Sequence, residues 1–315
     1  MHPIPESEIE LTARCIRASP EYLSPASLME CYASLGFKVM ADPFNSDVSE
    51  RAIGALRKAT PFSIIRIGDG EANLLAFGRY AGTPNLDRYT VASLVNSQQD
   101  SFVLDELWML VLRDMMLSSV LQADIVGIIG LWRPVTTFNA DKLVDLLRRD
   151  ARGGCGHWRS MDYMLRLARE GLLQGKTIAS AHLYFGVVQR IDEILSHAKR
   201  ILLITDKTRL EAAFARRFPG LPVELLSIGK SQAEREAHSP YFLVDVEKRL
   251  PHDMRGYCCL IGAGPWAEIY CGWIKQRGGV AIDIGSGFDL LDGKVSRPIH
   301  NILGLDKLNK YALEE

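Results

Sequence analysis

Asp69 and Glu71 have the residue types and the spacing to bind a divalent cation. The two carboxylates stand one residue apart, with Gly68 before them and Gly70 between them. Hard carboxylate oxygens at this spacing leave coordination positions open, which suits Mg²⁺ or Mn²⁺ carrying a phosphorylated substrate. The same residues can instead cap the following helix, because a helix N-terminus favours negative charge. The pair is therefore a candidate metal site and catalytic pair, with helix capping as the alternative.

A strand and a helix are expected to position this pair. Residues 62–67 form a short apolar run between Pro61 and Gly68, which predicts a buried strand. An apolar helical pattern follows over residues 72–77. Because α/β proteins usually bind ligands at the carboxyl edge of the sheet, the acidic turn is expected to line a binding crevice.

Composition and charge limit the function classes. The chain has 315 residues, 47% hydrophobic and 24% charged, and its 37 Lys and Arg balance 38 Asp and Glu. This ordinary globular composition has no overall basic field, so no nucleic-acid partner is expected and any phosphate binding is local. The apolar runs are too short to span a bilayer, and the first residues lack a signal-peptide pattern. Six cysteines without a Cys-x-x-Cys pair predict no zinc site and a reducing, cytoplasmic location.

The pattern of elements predicts an α/β fold. Residues 1–60 have helical patterns, and from residue 176 onward apolar strands alternate with amphipathic helices. Such alternation is typical of a mainly parallel, Rossmann-like sheet with helices on both faces. We predict an N-terminal helical segment (1–60), a Rossmann-type domain (61–292) and a C-terminal tail (293–315). The predicted strands are 62–67, 124–129, 177–181, 201–205, 223–228, 257–261 and 280–284.

The middle of the chain contains a polar stretch and a glycine-dense segment. Residues 82–88 form a polar stretch ahead of a long helical region at 91–121. Residues 153–157, Gly-Gly-Cys-Gly-His, are the most glycine-dense part of the chain. Because glycine disfavours helices, this segment is predicted to be a mobile active-site loop or a hinge.

Polar residues follow each strand predicted after residue 176. Any one of them is ordinary loop chemistry, but the carboxyl ends of parallel strands converge, so together they favour a binding site. Arg133, after the strand at 124–129, is a further candidate for phosphate or acceptor binding, with an exposed surface arginine as the alternative. The strand endings are His182; Asp206 and Lys207; residues 229–231; Gly262 to Pro265; and Asp283, Gly285, Ser286 and Asp289.

The turn Gly262-Ala263-Gly264-Pro265-Trp266-Ala267 follows a predicted strand and opens a predicted helix. It superficially fits the G-x-G-x-x-A dinucleotide fingerprint. Its glycines would let a phosphate approach the backbone, and the helix N-terminus offers unpaired N–H groups to an anion. The turn therefore indicates a nucleotide or pyrophosphate, without specifying NAD.

Two stretches of the chain resemble the GT-D fold glycosyltransferases, a bacterial family with a Rossmann-like sheet and a metal-binding Asp-x-Glu. The run from Arg66 to Glu71 is similar to the family signature Arg-Phe-Gly-Asp-Gly-Glu. Residues 260–267 and 279–285 are similar to its Gly-Pro-x-Ala helix start and its Ala-Ile-Asp-Ile-Gly strand. The resemblance, which spans roughly residues 62–289, implies transfer of a sugar from a nucleotide diphosphate donor, expected to be a UDP-sugar, with Mn²⁺ or Mg²⁺.

The resemblance also implies residue roles. Asp69 and Glu71 would be the metal-binding pair, framed by Arg66 and Gly68, and Lys207 matches a lysine of the family. The chain departs from the family at three places. Leu131-Trp132-Arg133-Pro134 stands where the family has Ser-Arg-Pro-Tyr, and residues 181–186 stand where it has Ser-Arg-x-Gly. Ser286 stands where the family usually has a histidine. These departures indicate a divergent branch, so the donor sugar and the acceptor are not carried over.

Sugar transfer requires a neutralised leaving diphosphate and, if the configuration inverts, a base. Lys207 and the N–H groups at Gly264 are expected to stabilise the diphosphate. Gly262 and Ser286 are also candidates for binding the nucleotide. The candidate bases are His182, Asp283 and Asp289. The acceptor is expected to be a glycan, a glycolipid or a protein-linked group, and a lipid-linked acceptor would allow peripheral docking at the inner membrane face.

Two other functions stay open at this point. One is an enzyme of another class that binds a nucleotide or S-adenosylmethionine at the Gly262 turn without a metal. The other is a non-catalytic, transferase-like scaffold that acts through its helical first 60 residues.

Overall fold

The computed structural model describes residues 4–19, 23–96, 106–132, 139–228, 240–303 and 312–313. Its strands form an eight-stranded parallel sheet accompanied by helices, which confirms the predicted α/β, Rossmann-like fold. The chain divides into two compact units, Met1–Asp42 with Arg66–His182 and Pro43–Ile65 with Leu183–Glu315. The domain boundaries predicted at residues 60 and 292 stay predictions.

The helices and strands alternate along most of the chain. No described helix is both long enough and apolar enough to cross a bilayer. In chain order the elements are α1 (Glu6–Arg17), α2 (Pro25–Ser34), β1 (Lys38–Met40), α3 (Ser46–Lys58), β2 (Phe62–Ile67), α4 (Asp69–Leu75), α5 (Pro84–Asn96), α6 (Glu106–Gln122), β3 (Ile125–Ile128), α7 (Ala140–Arg149), α8 (Ala151–Arg169), β4 (Thr177–Ser180), α9 (Tyr184–Gln189), α10 (Ile191–Leu195), β5 (Arg200–Thr205), α11 (Leu210–Arg217), β6 (Val223–Ser227), α12 (Pro240–Arg249), β7 (Tyr257–Ile261), α13 (Ala267–Gln276), β8 (Val280–Asp283), α14 (Gly287–Leu291) and α15 (Pro298–Ile302).

In the first unit, β4 lies between β1 and β3. Thr177 of β4 is in register with Lys38 on one side and with Ile125 on the other. All residues of β3 and β4 are buried, as expected for strands of a parallel sheet that are covered on both faces. Helices α1, α2 and α4 to α8 belong to this unit.

In the second unit the strand order is β2-β8-β7-β5-β6. Strand β8 pairs with β2 through Val280 and Phe62, and with β7 through Val280 and Cys258. Strands β7 and β8 are completely buried, whereas the edge strand β6 is only partly covered. The division between the units falls inside β2, after Ile65.

All seven predicted strands are present, with ends that differ by one residue at most. The prediction missed β1, which has three residues and a partly exposed surface, too little for a periodic signal. The helical segment predicted for residues 1–60 therefore also contains a strand. Helix α5 begins at Pro84, inside the polar stretch 82–88, because proline is favoured at the first helical position.

The glycine-dense segment 153–157 is neither a loop nor a hinge, since it lies inside the long helix α8. Its glycines permit close contact between backbones. A β-carbon on Gly154 would lie 2.3 Å from the Leu147 α-carbon, and one on Gly156 would lie 2.1 Å from the Asp69 carbonyl oxygen. Burial of most of α8 outweighs the low helix propensity of glycine, and Asp150 caps the helix by accepting a hydrogen bond from the Gly153 N–H.

Candidate functional site

Asp69 and Glu71 lie in the first turn of α4, directly after β2. Gly68 is the N-cap residue and has an extended backbone, which turns the chain from strand to helix. A β-carbon on Gly68 would lie 2.5 Å from Glu71 Oε2, so the Glu71 side chain folds back toward the N-cap residue. This is the direction that a capping glutamate takes. Both carboxylate residues are nevertheless partly exposed, so a ligand in solution can reach them.

Asp69 and Glu71 are not part of a larger ligand cluster in the part of the chain that the structure describes. Among the described residues, no group of three or more His, Cys, Asp or Glu side chains is arranged to hold a metal ion. Two carboxylates suit a hard cation such as Mg²⁺, which keeps several waters and completes its coordination with substrate phosphates. The donor set therefore fits a cation shared with a phosphorylated substrate.

Arg66 and His182 lie at the carboxyl edge of the first unit. The Arg66 guanidinium donates a hydrogen bond to the carbonyl of Ala181, at 3.4 Å, next to His182 in the chain. The His182 N–H donates to Ser180 Oγ, and its ring contacts the edge of Trp132 with the ring centres 5.4 Å apart. The structure therefore brings the ends of β2 and β4 together through these contacts.

Trp132 is a residue of this edge that the sequence analysis did not select. Its signal was present in the sequence, because an aromatic residue directly after a strand and a turn is well placed to contact a ligand. Arg133, the candidate next to it, and residues 229–231 lie outside the described residues.

Lys207 and Asp289 form a second polar group, in the second unit. Lys207 Nζ lies 3.1 Å from a carboxylate oxygen of Asp206 and 3.3 Å from one of Asp289. Burial lowers the pKa of Lys207, but the two carboxylates outweigh burial and raise the pKa above its ordinary value. Lys207 is therefore a cation at neutral pH that is already balanced by two acidic neighbours, and Asp289 also accepts a hydrogen bond from Ser296.

The Gly262 turn packs tightly against α14. A β-carbon on Gly262 would lie 2.5 Å from the Phe288 ring and 3.0 Å from the Gly285 carbonyl oxygen. Gly264 has a φ of +55° and begins a single 3₁₀ turn, Gly264–Trp266, before α13. Packing therefore requires a glycine at position 262, and the backbone conformation favours one at position 264.

The remaining predicted site residues differ in accessibility. Asp283 ends β8 and is 2% exposed, whereas the Asp289 side chain is 18% exposed. Ser286 is the N-cap residue of α14, and its side chain makes no capping hydrogen bond. Of the two aspartates, only Asp289 is therefore open to a substrate from solution.

His300 is completely buried in the second unit and shares a 3.0 Å hydrogen bond, through Nε2, with the Tyr184 hydroxyl. Burial lowers the pKa of His300 from its ordinary value of 6.5. The unfolded chain therefore takes up this proton more readily than the folded protein, so the free energy of unfolding is expected to fall as the pH drops through 6.5.

His300→Gln should make this decline shallower, because glutamine does not titrate. The check is urea unfolding of wild type and of His300→Gln at several pH values between 7.5 and 5. Equal slopes for wild type and His300→Gln would contradict the prediction.

A comparison with family models bears on the first half of the chain. Residues 45–148, about a third of the chain, match the family GT-D-like, described as a GT-D fold-like domain. The matched region contains β2 and all of α4 with Asp69 and Glu71, and it extends from α3 to the next-to-last residue of α7. No curated protein and no solved structure matches the chain significantly. The resemblance carried by the first motif is thus confirmed: residues 45–148 of this chain are similar to the GT-D fold-like domain.

Proposed function

We propose that the chain is a metal-dependent glycosyltransferase, which moves a sugar from a nucleotide diphosphate donor to a glycan, glycolipid or protein-linked acceptor. A UDP-sugar is the proposed donor, and Mn²⁺ or Mg²⁺ is the proposed cation. The observation that carries the proposal is the match of residues 45–148 to the GT-D-like family, with the Asp-x-Glu pair accessible at the start of α4.

Asp69 and Glu71 would bind the cation and orient the donor. The cation, when bound, neutralises negative charge on the leaving diphosphate. Arg66 is held at the same edge by its hydrogen bond to Ala181 and adds positive charge there. If the reaction inverts configuration, His182 is the candidate base of the first unit and Asp289 the accessible candidate of the second, because each can accept a proton.

The experiment is calorimetric titration of UDP into the full chain with Mn²⁺, with EDTA, and with the variant Asp69→Ala. We expect binding that requires Mn²⁺ and is lost in the variant. The control is Asp141→Ala, which removes an exposed aspartate from the first turn of α7 in the same unit. This control should bind UDP like the wild type.

The other outcomes identify the alternatives. UDP binding that is unchanged by EDTA and by Asp69→Ala would place the nucleotide away from the Asp-x-Glu pair. This result would support a nucleotide-binding enzyme that needs no metal. No binding of UDP or of other nucleoside diphosphates would refute the transferase and leave a scaffold function.

A further inference from the structure

Helix α8 touches the Asp-x-Glu turn directly through a glycine. The Gly156 α-carbon faces the backbone of Asp69 so closely that a β-carbon there would lie 2.1 Å from the carbonyl oxygen and 2.6 Å from the α-carbon of Asp69. Real β-carbons do not approach backbone atoms at such distances, and a backbone cannot move aside as a flexible side chain can. Gly156 therefore determines how near Asp69 can lie to α8.

One helical turn further along α8, Ser160 holds the end of β2. Its hydroxyl donates a 2.8 Å hydrogen bond to the carbonyl of Ile67, two residues before Asp69. The same oxygen accepts a 3.1 Å hydrogen bond from the N–H of Ile129, which follows β3. Ser160 is completely buried, so water does not compete for these hydrogen bonds.

On the other side of the turn, α8 holds α4 through Asn73. The Asn73 amide donates a 2.9 Å hydrogen bond to the Arg152 carbonyl and accepts one of 3.2 Å from the Arg159 guanidinium. Asn73 and Arg159 are both completely buried. The segment from Ile67 to Asn73 is thus fixed at its start, its middle and its end by one helix.

The four α8 residues that make these contacts have the spacing of a single helical face. Arg152, Gly156, Arg159 and Ser160 stand at positions i, i+4, i+7 and i+8. We propose that this face of α8 is a template that positions Asp69 and Glu71 for cation binding, with Gly156 and Ser160 as positioning residues. The proposal rests on the proposed function, since it assumes that the pair binds the cation.

The test compares two glycines of α8 that both contact a backbone. Gly156→Ala must displace Asp69, whereas Gly154→Ala must displace Leu147 of α7. Both variants are expected to lower the melting temperature. Only Gly156→Ala is expected to weaken binding of Mn²⁺ alone, followed by electron paramagnetic resonance of free Mn²⁺, by about 10- to 100-fold as for other residues that orient metal ligands.

A second pair of variants, which change the structure less, tests the proposal if Gly156→Ala does not fold. Ser160→Ala removes the two hydrogen bonds at Ile67 and Ile129. Ser119→Ala is the control, because the hydrogen bond that the structure records for its hydroxyl goes to the Met115 carbonyl within α6. Ser160→Ala should weaken Mn²⁺ binding, and Ser119→Ala should leave it unchanged.

The outcomes separate this proposal from the proposed function. Unchanged Mn²⁺ binding in Asp69→Ala would refute the cation site itself. If Asp69→Ala loses Mn²⁺ but Gly156→Ala and Ser160→Ala bind it like the wild type, the template alone is refuted. Equal weakening in Gly154→Ala and Gly156→Ala would also refute the template, because it would show a general effect of instability.

Discussion

Arg159→Met is expected to lower the free energy of unfolding by about 3–5 kcal/mol, the cost of breaking a buried ion pair by removing one partner. The Arg159 side chain is fully buried and pairs with Asp87, which is 3% exposed. Methionine fills much of the same volume but leaves the Asp87 carboxylate buried without its positive partner. Of the hydrogen bonds to Asp87 that the structure records, those from Gly78 and Thr83 would remain. Urea unfolding at pH 7 measures the loss.

The matched control is Arg148→Met, at an arginine whose pairing with Glu10 is exposed to solvent. Because water screens such exposed pairs, Arg148→Met is expected to lower the free energy of unfolding much less than Arg159→Met. The double variant Arg159→Met with Asp87→Asn should recover part of the stability, since it also removes the uncompensated charge. Similar losses in Arg159→Met and Arg148→Met would show that burial does not govern the pair.

Phe288→Ala is expected to cost about 3–5 kcal/mol of unfolding free energy, because a large buried aromatic side chain is replaced by a cavity. Phe288 is 2% exposed, and its ring packs on Gly262. The comparison is Phe44→Ala, at a ring that is 37% exposed and stacks on Phe185. Chemical denaturation should show a clearly smaller loss for Phe44→Ala.

A double-mutant cycle then tests why residue 262 is a glycine. Gly262→Ala alone should cost about 1–3 kcal/mol, because the new methyl group collides with the Phe288 ring. In the Phe288→Ala background the same methyl group enters the cavity, so its cost should shrink or reverse. An unchanged cost would show that the Phe288 ring is not what requires glycine at this position.

The strands of this fold were predictable because they are continuously apolar. Val280–Asp283 and Tyr257–Ile261 read as buried strands in the sequence and are completely buried in the structure. The errors arise where tertiary contacts override local preference. The run Gly153-Gly154-Cys155-Gly156 predicts a loop by propensity alone, and only its contacts with Leu147 and Asp69 explain why it is helical.

The acidic turn of the candidate site was predictable from the sequence, but the buried residues that hold this turn in place were not. Asp69 and Glu71 are recognisable from their spacing after an apolar run, and the structure places them at the start of a helix as expected. Ser160 and Asn73 carry no such signal, because a buried serine or asparagine reveals its role only through partners that are distant in the sequence. The same holds for Gly262, whose close contact with the Phe288 ring has no signal in the sequence.

The pairing of β2 with β8 has a consequence for synthesis of the chain. Phe62 and Val280 are neighbours in the second unit, so the ribosome completes β2 more than 200 residues before its partner. At a synthesis rate of about 5–20 residues per second, roughly 10–45 s pass between the completion of β2 and that of β8. During that time an apolar strand lacks this neighbour and exposes a hydrogen-bonding edge, which is a template for aggregation. Nascent chains that stop before residue 280 should therefore need a chaperone to stay in solution.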